Sequence, residues 1–188
     1  MAARASSRAD TERRILEAAE HLFLEAAYPG VRLEDIAAAA GVSAPTVIHR
    51  FGSKEALVAA VARSGLERVR QQRDQTPVGD LAGAISNLID HYELWGDPVV
   101  HLLAQEAAVP VIRDATDAGR ALHVEWVEHT FAPWLPRQNT ARRRRLSQLV
   151  ALMDVYVWKV LRRDRGLSRA ETEAAVREMV SALLEGGR

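Results

Sequence analysis

The chain has 188 residues, of which 48% are hydrophobic and 27% charged, so it can bury a core and is too apolar to be disordered throughout. It contains no cysteine, which excludes disulfides and thiolate chemistry, and its formal net charge of zero neither favours nor excludes a nucleic-acid partner. It has neither the apolar length of a membrane span nor the pattern of a signal peptide, so we expect a cytoplasmic protein that makes no membrane contact.

The periodicity of apolar residues is helical along the whole chain, and no segment alternates as a strand does. The sequence therefore predicts an all-α fold of about nine helices. Residues 1–9 are small and basic and are expected to form a flexible N-terminal arm. In chain order, the predicted helices cover about residues 10–27, 33–40, 43–51, 53–72, 78–94, 97–107, 110–131, 140–163 and 168–185.

Breaks in composition suggest the domain organisation. The segment Gln75-Thr76-Pro77 is the expected boundary between an N-terminal and a C-terminal part. We expect an N-terminal helical domain over residues 10–54, a connecting helix over 55–75, and a C-terminal helical bundle over 76–188.

Residues 33–57, LEDIAAAAGVSAPTVIHRFGSKEAL, have the pattern of a helix-turn-helix. Gly41 can adopt the left-handed backbone that ends a first helix, and Ser43 is a good N-cap for a second. Pro45 falls in the first turn, where its missing N–H does no harm. Val47 and Phe51 lie four residues apart and can pack on the first helix, which leaves a small polar face free to enter a major groove.

The stretch DIAAAAGVS…T…FGSKEALVAAV, between about Thr11 and Val61, resembles the DNA-binding domain of the TetR family of transcriptional regulators. The resemblance implies that residues 10–54 form a three-helix DNA-binding domain and that residues 76–188 form a helical domain for ligand binding and dimerisation. It also implies a homodimer that leaves a palindromic double-stranded DNA operator when a small-molecule effector binds, which is the behaviour of a repressor. This chain departs from the family where Ile48 replaces the usual tyrosine and where Ala44 and Pro45 replace a basic residue or glycine.

The candidate DNA contacts lie on and beside the second helix of the motif. Arg50 can read guanine with two hydrogen bonds, and Thr46 and His49 can bond to phosphates or base edges. Lys54 is expected to bind phosphate at the start of the next helix. The full set of candidate DNA-binding residues is Arg32, Ser43, Ala44, Pro45, Thr46, His49, Arg50 and Lys54.

Residues 146–161 and the last helix are apolar on more than one side, which favours a partner beyond the core of one protomer. This agrees with the family, which places its dimer interface on the last two long helices. The candidate interface residues are Leu149, Leu152, Met153, Tyr156, Val176, Met179, Val180 and Leu183. Aromatic residues with polar tips, at helical spacing, are the candidates for a ligand site: His91, Trp95, His123, Trp126 and Trp158.

Two other functions remain open at the level of sequence. Glu125 and His129, four residues apart, could serve a metal-dependent enzyme, but two ligands do not make a site and no catalytic motif is present. We therefore expect no catalytic residue, no metal and no cofactor. A helical protein-interaction module is the other alternative. The arginine run at residues 142–145 points in several directions around a helix and is expected to be a solvated helix end.

Overall fold

The structure is a computed structural model that describes the backbone of residues 2–186 and the side chains of residues 7–186. No strand occurs in residues 2–186, which confirms the all-α prediction. Short 3-10 turns lie at Tyr28–Gly30 and Ala132–Trp134, and a π-helical turn at Val160–Asp164. The helices are α1 (Ala2–Glu25), α2 (Leu33–Ala40), α3 (Ala44–Phe51), α4 (Lys54–Arg73), α5 (Leu81–Leu103), α6 (Pro110–Thr130), α7 (Asn139–Leu152), α8 (Val155–Lys159) and α9 (Arg169–Glu185).

The first helix begins farther upstream than predicted. Residues 2–9 belong to α1 and do not form a separate non-helical arm, and Met1 lies outside the described residues. This segment contains no glycine or proline, and its alanines favour helix, so the helix continues upstream of Asp10. Asp10 forms an ion pair with Arg13 (2.6 Å) one turn along the helix. The flexibility of residues 1–9 stays a prediction.

The predicted helix-turn-helix is formed by α2 and α3. Gly41 ends α2 with a left-handed backbone, φ 65°. The Ser43 hydroxyl accepts the backbone N–H of Thr46 (3.4 Å), so Ser43 is the N-cap of α3. Val47 is buried in a core that α1, α2, α3 and the start of α4 share, and this contact fixes which face of α3 points outward.

The sequence predicted a helix break at Gly96-Asp97-Pro98, but α5 continues through it. Proline lacks the N–H that the carbonyl of Leu94 would accept, so local preference alone favours a kink or an end here. The Trp158 ring lies directly against Gly96, since a Cβ added at Gly96 would meet Cζ3 of that ring at 2.3 Å. We attribute the continuity of α5 to this tight packing.

The predicted single helix over residues 140–163 is instead divided between α7 and α8. Asp154 has an extended backbone, ψ 150°, and its carboxylate accepts the N–H of Tyr156 (2.8 Å). Aspartate favours such a cap over a position inside a helix, so it starts α8 rather than prolonging α7. The capping box of Ser168 and Glu171 at the start of α9 is confirmed.

The chain divides into two compact units. Unit 1 comprises the residues up to Leu66 together with His101–Asp117, and unit 2 comprises Glu67–Val100 together with the residues from Ala118 onward. These units differ from the predicted domains, because residues near Ile112 pack in the same hydrophobic core as α1–α3. No helix of the described residues combines the length and hydropathy that a membrane span requires.

We predict that Gly96→Ala destabilises the protein. Alanine is the better helix former by about 1 kcal/mol, but the added methyl group would overlap the buried Trp158 ring, and overpacking costs about 1–3 kcal/mol. Chemical denaturation should show a lower free energy of unfolding. Gly30→Ala is the matched control, because nothing lies within 4 Å of its added Cβ. Equal or greater stability of Gly96→Ala would contradict this account.

Candidate DNA interface and ligand site

The outward face of α3 carries most of the predicted DNA contacts. Pro45, Ile48 and His49 are exposed, and Ile48 keeps 43% of its surface accessible. The hydroxyls of Ser43 and Thr46 lie 2.9 Å apart and share a hydrogen bond. The structure therefore brings together a small surface with both hydroxyl and imidazole groups, as the sequence predicted, around an apolar centre at Ile48.

Arg50 has a partly buried side chain whose Nε is buried, so any contact with DNA must use its terminal guanidinium nitrogens. Its side chain is half-buried on α3, and its Nε has no hydrogen-bond partner within the described residues. A guanidinium held by packing and free of carboxylates is suited to hydrogen bonding with a base edge or phosphate. Arg32, at the start of α2, is exposed and makes only a long contact to Glu34 (3.5 Å), which costs little to exchange for a phosphate.

Lys54 is placed differently from the prediction. Its ammonium donates to the backbone carbonyl of Tyr28 (2.5 Å) and lies 4.0 Å from the centre of the Tyr28 ring. Burial lowers the pKa of Lys54, against the opposing influence of Glu55. The Tyr28 hydroxyl in turn donates to Glu55 (2.8 Å). Lys54 thus ties the start of α4 to the turn after α1, and we assign it a structural role rather than phosphate binding.

The support beneath the turn depends on a residue that the sequence analysis did not single out. Arg14 of α1 donates from Nη1 to the carbonyl of Ala40 (2.7 Å), one of the last carbonyls of α2. That carbonyl has no partner within its own helix, so the guanidinium stabilises the end of α2. The same nitrogen would lie 3.2 Å from a Cβ at Gly41. Nothing in the local sequence of α1 distinguishes Arg14 from its arginine neighbours.

In unit 2, three of the five predicted ligand residues gather around a buried arginine. Arg73, the last residue of α4, is 4% exposed, and its guanidinium carbon lies 4.1 Å from the centre of the Trp126 ring. The rings of His123 and Trp126 are 6.1 Å apart. The charge of Arg73 acts on both His91 and His123 and lowers the pKa of each. The sequence analysis missed Arg73, because an arginine at a helix end is ordinarily exposed.

The burial of Arg73 is only partly compensated. Burial is the main cause that lowers its pKa, and a hydrogen bond to Tyr92 acts in the opposite direction. Burial of an unpaired ion costs several kcal/mol. Contact with an aromatic face stabilises a buried cation by about 2 kcal/mol, and a position at a helix C-terminus stabilises it by about 0.3–1 kcal/mol. Because Nε and Nη1 of Arg73 lack hydrogen-bond partners, a further part of that cost remains without compensation.

The other two predicted ligand residues belong less directly to this group. Trp158 reaches it through Tyr92, with ring centres 6.0 Å apart, and its indole N–H already donates to Glu93 (3.0 Å). Glu93 also accepts hydrogen bonds from Arg162 (2.9 Å). Trp158 therefore serves the core of unit 2, while Trp95 is half-buried on α5 and its role stays a prediction.

A groove of about 740 Å³ lies along α6, and none of the predicted ligand residues lines it. Its lining includes Glu125 and His129, the pair that a metal enzyme would require. Among the described residues, no group of three or more potential metal ligands occurs. The groove also includes Arg142, which pairs with Glu128 (3.0 Å), so this member of the arginine run is engaged locally.

The predicted dimer interface separates into two sets. One set is sealed inside the protomer, with at most 2% of each residue exposed, because α7, α8 and α9 use these side chains to pack on their own unit: Leu149, Met153, Val176 and Val180. These four cannot contact a partner as predicted. The other set is exposed or half-buried and stays available: Leu152, Tyr156, Met179 and Leu183. Val160, not predicted, is as exposed as Tyr156.

The fold and the outward face of α3 define a helix-turn-helix DNA-binding protein. Residues 15–61 match the sequence model of the bacterial regulatory proteins of the tetR family. The predicted resemblance is thereby confirmed, and residues 15–61 are similar to the DNA-binding domain of TetR-family transcriptional regulators. No curated protein sequence was found to match the chain.

Solved structures share the fold over nearly the whole chain. A putative TetR-family regulator from Mesorhizobium loti is 19% identical, with a TM-score of 0.69 over 95% of this chain and 96% of its own. A transcriptional regulator from Rhodococcus sp. Rha1 is 17% identical, with a TM-score of 0.73 over 93% and 96%. A putative regulator from Saccharomonospora viridis, solved in complex with choline, is 21% identical, with a TM-score of 0.66 over 92% and 96%.

We predict that acid destabilises the protein through the buried histidines. Burial and Arg73 lower the pKa of His91 to about 3, and similar causes lower the pKa of His123 to about 4. Between these values and about 6.5 only the unfolded chain takes up the protons, so stability falls as pH falls through this window. Each histidine should cost up to about 1.4 kcal/mol per pH unit.

The measurement is the free energy of unfolding as a function of pH. His91→Gln should reduce the slope between about pH 6 and pH 4.5, and the absolute stability of the variant does not enter the comparison. His21→Gln, at an exposed histidine of α1, is the matched control and should leave the slope unchanged. An unchanged slope in His91→Gln would exclude His91 as a source of the effect.

Proposed function

We propose that this protein is a sequence-specific transcriptional repressor that binds a palindromic DNA operator as a homodimer and leaves it when a small molecule binds. The observation that carries the proposal is α3 itself, a helix capped by Ser43 and anchored in the core by Val47, with His49 exposed on it and Thr46 and Arg50 half-buried beside it. Such a helix, preceded by a glycine turn, is the reading element of helix-turn-helix proteins. DNA as the target implies that the protein acts in the cytoplasm.

The chemistry of this face suggests how the operator is read. With an overall net charge of zero and few unpaired cations near α3, the protein gains little from non-specific attraction to phosphate. Arg50 supplies the strongest base contact, and Ile48 offers apolar contact to a thymine methyl group. Arg32 exchanges its ion pair with Glu34 for a phosphate. Affinity should therefore depend on sequence more than on charge.

The surface formed by α8, α9 and the π-helical turn supports a homodimer. Tyr156 and Val160 expose 49% and 48% of their surfaces, and they lie close in sequence to Val155 and Trp158, which are buried. Leu152, Met179 and Leu183 are only half-buried on α7 and α9. Apolar residues grouped in this way are a common mark of a protein interface. Two copies can then present α3 to half-sites one DNA turn apart, roughly 34–36 Å.

Effector release requires a ligand that distinguishes two forms of the dimer. A small molecule lowers operator affinity only if it binds more tightly to the form whose recognition helices do not match the half-site spacing. The aromatic group around Arg73 and Trp126 in unit 2 is the site we assign to this ligand. The regulator from Saccharomonospora viridis, of the same fold, was solved with choline bound, which supports a small-molecule site in this chain as well.

We predict that selection from a random DNA pool yields a palindrome, and that Arg50→Ala weakens binding to it by about tenfold or more, since one bidentate base contact is worth about 1–3 kcal/mol. The plot of log affinity against log salt should lose about one unit of slope if Arg50 contacts phosphate and keep its slope if it reads a base. Arg63→Ala, at an exposed arginine of α4, is the control and should bind normally.

The same binding assay, combined with unfolding measurements, distinguishes a residue that contacts DNA from one that stabilises the fold. Lys54→Met should lower the free energy of unfolding by about 1 kcal/mol or more, because the carbonyl of Tyr28 loses a charged donor, yet it should reduce operator affinity less than Arg50→Ala. Unaltered binding of Arg50→Ala would favour the protein-interaction alternative over DNA reading.

We predict that Val160→Glu converts the dimer to monomers, because a carboxylate in an apolar interface must lose its water without gaining a partner. Light scattering after size-exclusion chromatography measures the mass directly. Val78→Glu is the matched control, since Val78 is equally exposed at 48% and lies outside the proposed surface. A dimer that persists in Val160→Glu at micromolar concentration would place the interface elsewhere.

A further inference from the structure

The charge of Arg73 is the feature of unit 2 that its own fold does not explain. Its guanidinium is almost completely buried, and no carboxylate is among the groups that shift its pKa. Two of its nitrogens, Nε and Nη1, have no hydrogen-bond partner. Tyr92, which hydrogen-bonds to Arg73, also donates its hydroxyl to the carbonyl of Met153 (3.0 Å) and remains neutral because burial raises its pKa.

Two other buried donors of unit 2, both on α6, have no partner among the described residues. The indole Nε1 of Trp126, whose ring carries the Arg73 guanidinium, has no acceptor. Neither has the hydroxyl of Thr130, one helical turn farther along α6. Each buried donor left without an acceptor is unfavourable, and native structures rarely leave several of them together. These groups share the need for a hydrogen-bond acceptor, and Arg73 in addition needs a negative charge to balance its own.

The net charge of the buried groups around Arg73 limits the charge that the acceptor can carry. His91 and His123 are neutral at neutral pH, since their pKa values lie near 3 and 4, so Arg73 supplies a single positive charge. A monoanion neutralises it, whereas a dianion would leave one charge buried without compensation. The neighbours are otherwise apolar or aromatic, with the rings of Tyr92 and Trp126 among them, which suits a ligand with a hydrophobic body.

We propose that the effector of this protein is a small hydrophobic carboxylate, bound within unit 2 with its carboxylate at Arg73. The proposal rests on the regulator function above and names the chemical class of the ligand that releases the operator. A planar carboxylate accepts hydrogen bonds from the guanidinium and balances its charge at once. A quaternary ammonium such as choline is opposed at this position, because Arg73 repels it.

The test uses the full-length protein, with benzoate, phenylacetate and hexanoate as probes and their neutral amides as matched compounds. At constant ionic strength, the carboxylates should raise the midpoint of thermal unfolding in a concentration-dependent manner, because they bind the folded state. The amides and choline should leave it unchanged. Calorimetric titration of the carboxylate that gives the largest shift then provides its dissociation constant.

Arg73→Met is the diagnostic variant, and Arg70→Met is its matched control. Arg70 lies one turn earlier on α4, is exposed, and makes only a long contact to Glu125 (3.7 Å). Carboxylate affinity should fall at least about tenfold in Arg73→Met and stay normal in Arg70→Met. Without ligand, Arg73→Met should unfold at the same temperature as the wild type or higher, which a purely structural arginine would not allow. Arg73→Gln, of similar size, gives a second measurement if the methionine variant does not fold.

The outcomes separate this proposal from the function on which it rests. Carboxylate binding that depends on Arg73 and weakens operator binding supports the whole proposal. Equal shifts from carboxylates and amides, equal affinity in Arg73→Met, a response to phosphate alone, or no shift with any probe would overturn the anion site. Carboxylate binding that leaves operator affinity unchanged would overturn the effector role. Failure of the wild type to select any DNA would instead overturn the regulator function, whatever the carboxylates do.

Discussion

The left-handed backbone at Gly41 is the constraint on which the helix-turn-helix of α2 and α3 depends. It lets the chain reverse between α2 and α3 within a few residues, and Ser43 then caps the new helix. Arg14 holds the carbonyl of Ala40 on the other side of the same turn, close enough to limit any side chain at position 41. The direction of α3, and with it the position of the candidate DNA contacts on that helix, follows from these few bonds and from the burial of Val47.

The positively charged residues of unit 1 fall into two groups: some stabilise the fold, and others are candidates for contact with DNA. Lys54 and Arg14 each donate to a backbone carbonyl, and Arg13 pairs with Asp10 and Glu17. Because these cations are engaged within the fold, they add little to phosphate binding. The proposed function is compatible with a net charge of zero, because affinity for DNA depends on where charged groups are placed, and Arg50 on α3 is the main candidate in our proposal.

Unit 2 contains two aromatic arrangements that share a residue type but differ in what they do. Around Trp158 every polar group is satisfied, with its indole N–H on Glu93 and Glu93 on Arg162, and the ring fills the space that Gly96 leaves. Around Arg73 and Trp126, by contrast, Nε and Nη1 of Arg73 and the indole nitrogen are buried without a partner among the described residues. The first arrangement holds the unit together. The second is built for a missing negative charge, and this difference directs the search for an effector toward carboxylates.

Local signals in the sequence determined much of this protein. The helical period, the glycine at position 41, the cap at Ser43 and the capping box at Ser168 predicted their elements correctly, because each depends on bonds within a few residues. The same signals failed at Pro98, where packing on Trp158 maintains a helix that local preference would end. Asp154 was overlooked for the opposite reason: a local cap divides a helix that apolar periodicity alone would continue.

The side chains of the sites were decided only by tertiary structure. The sequence selected Thr46, His49 and Arg50 for the face of α3, and they lie there. It could not show that Lys54 turns to Tyr28, or that Leu149 and Val180 are sealed in the core, because a helical stripe does not reveal which neighbour covers it. Above all, the sequence could not single out Arg73. Its importance depends on its burial and on the lack of a partner charge beside it, and both are properties of three-dimensional packing.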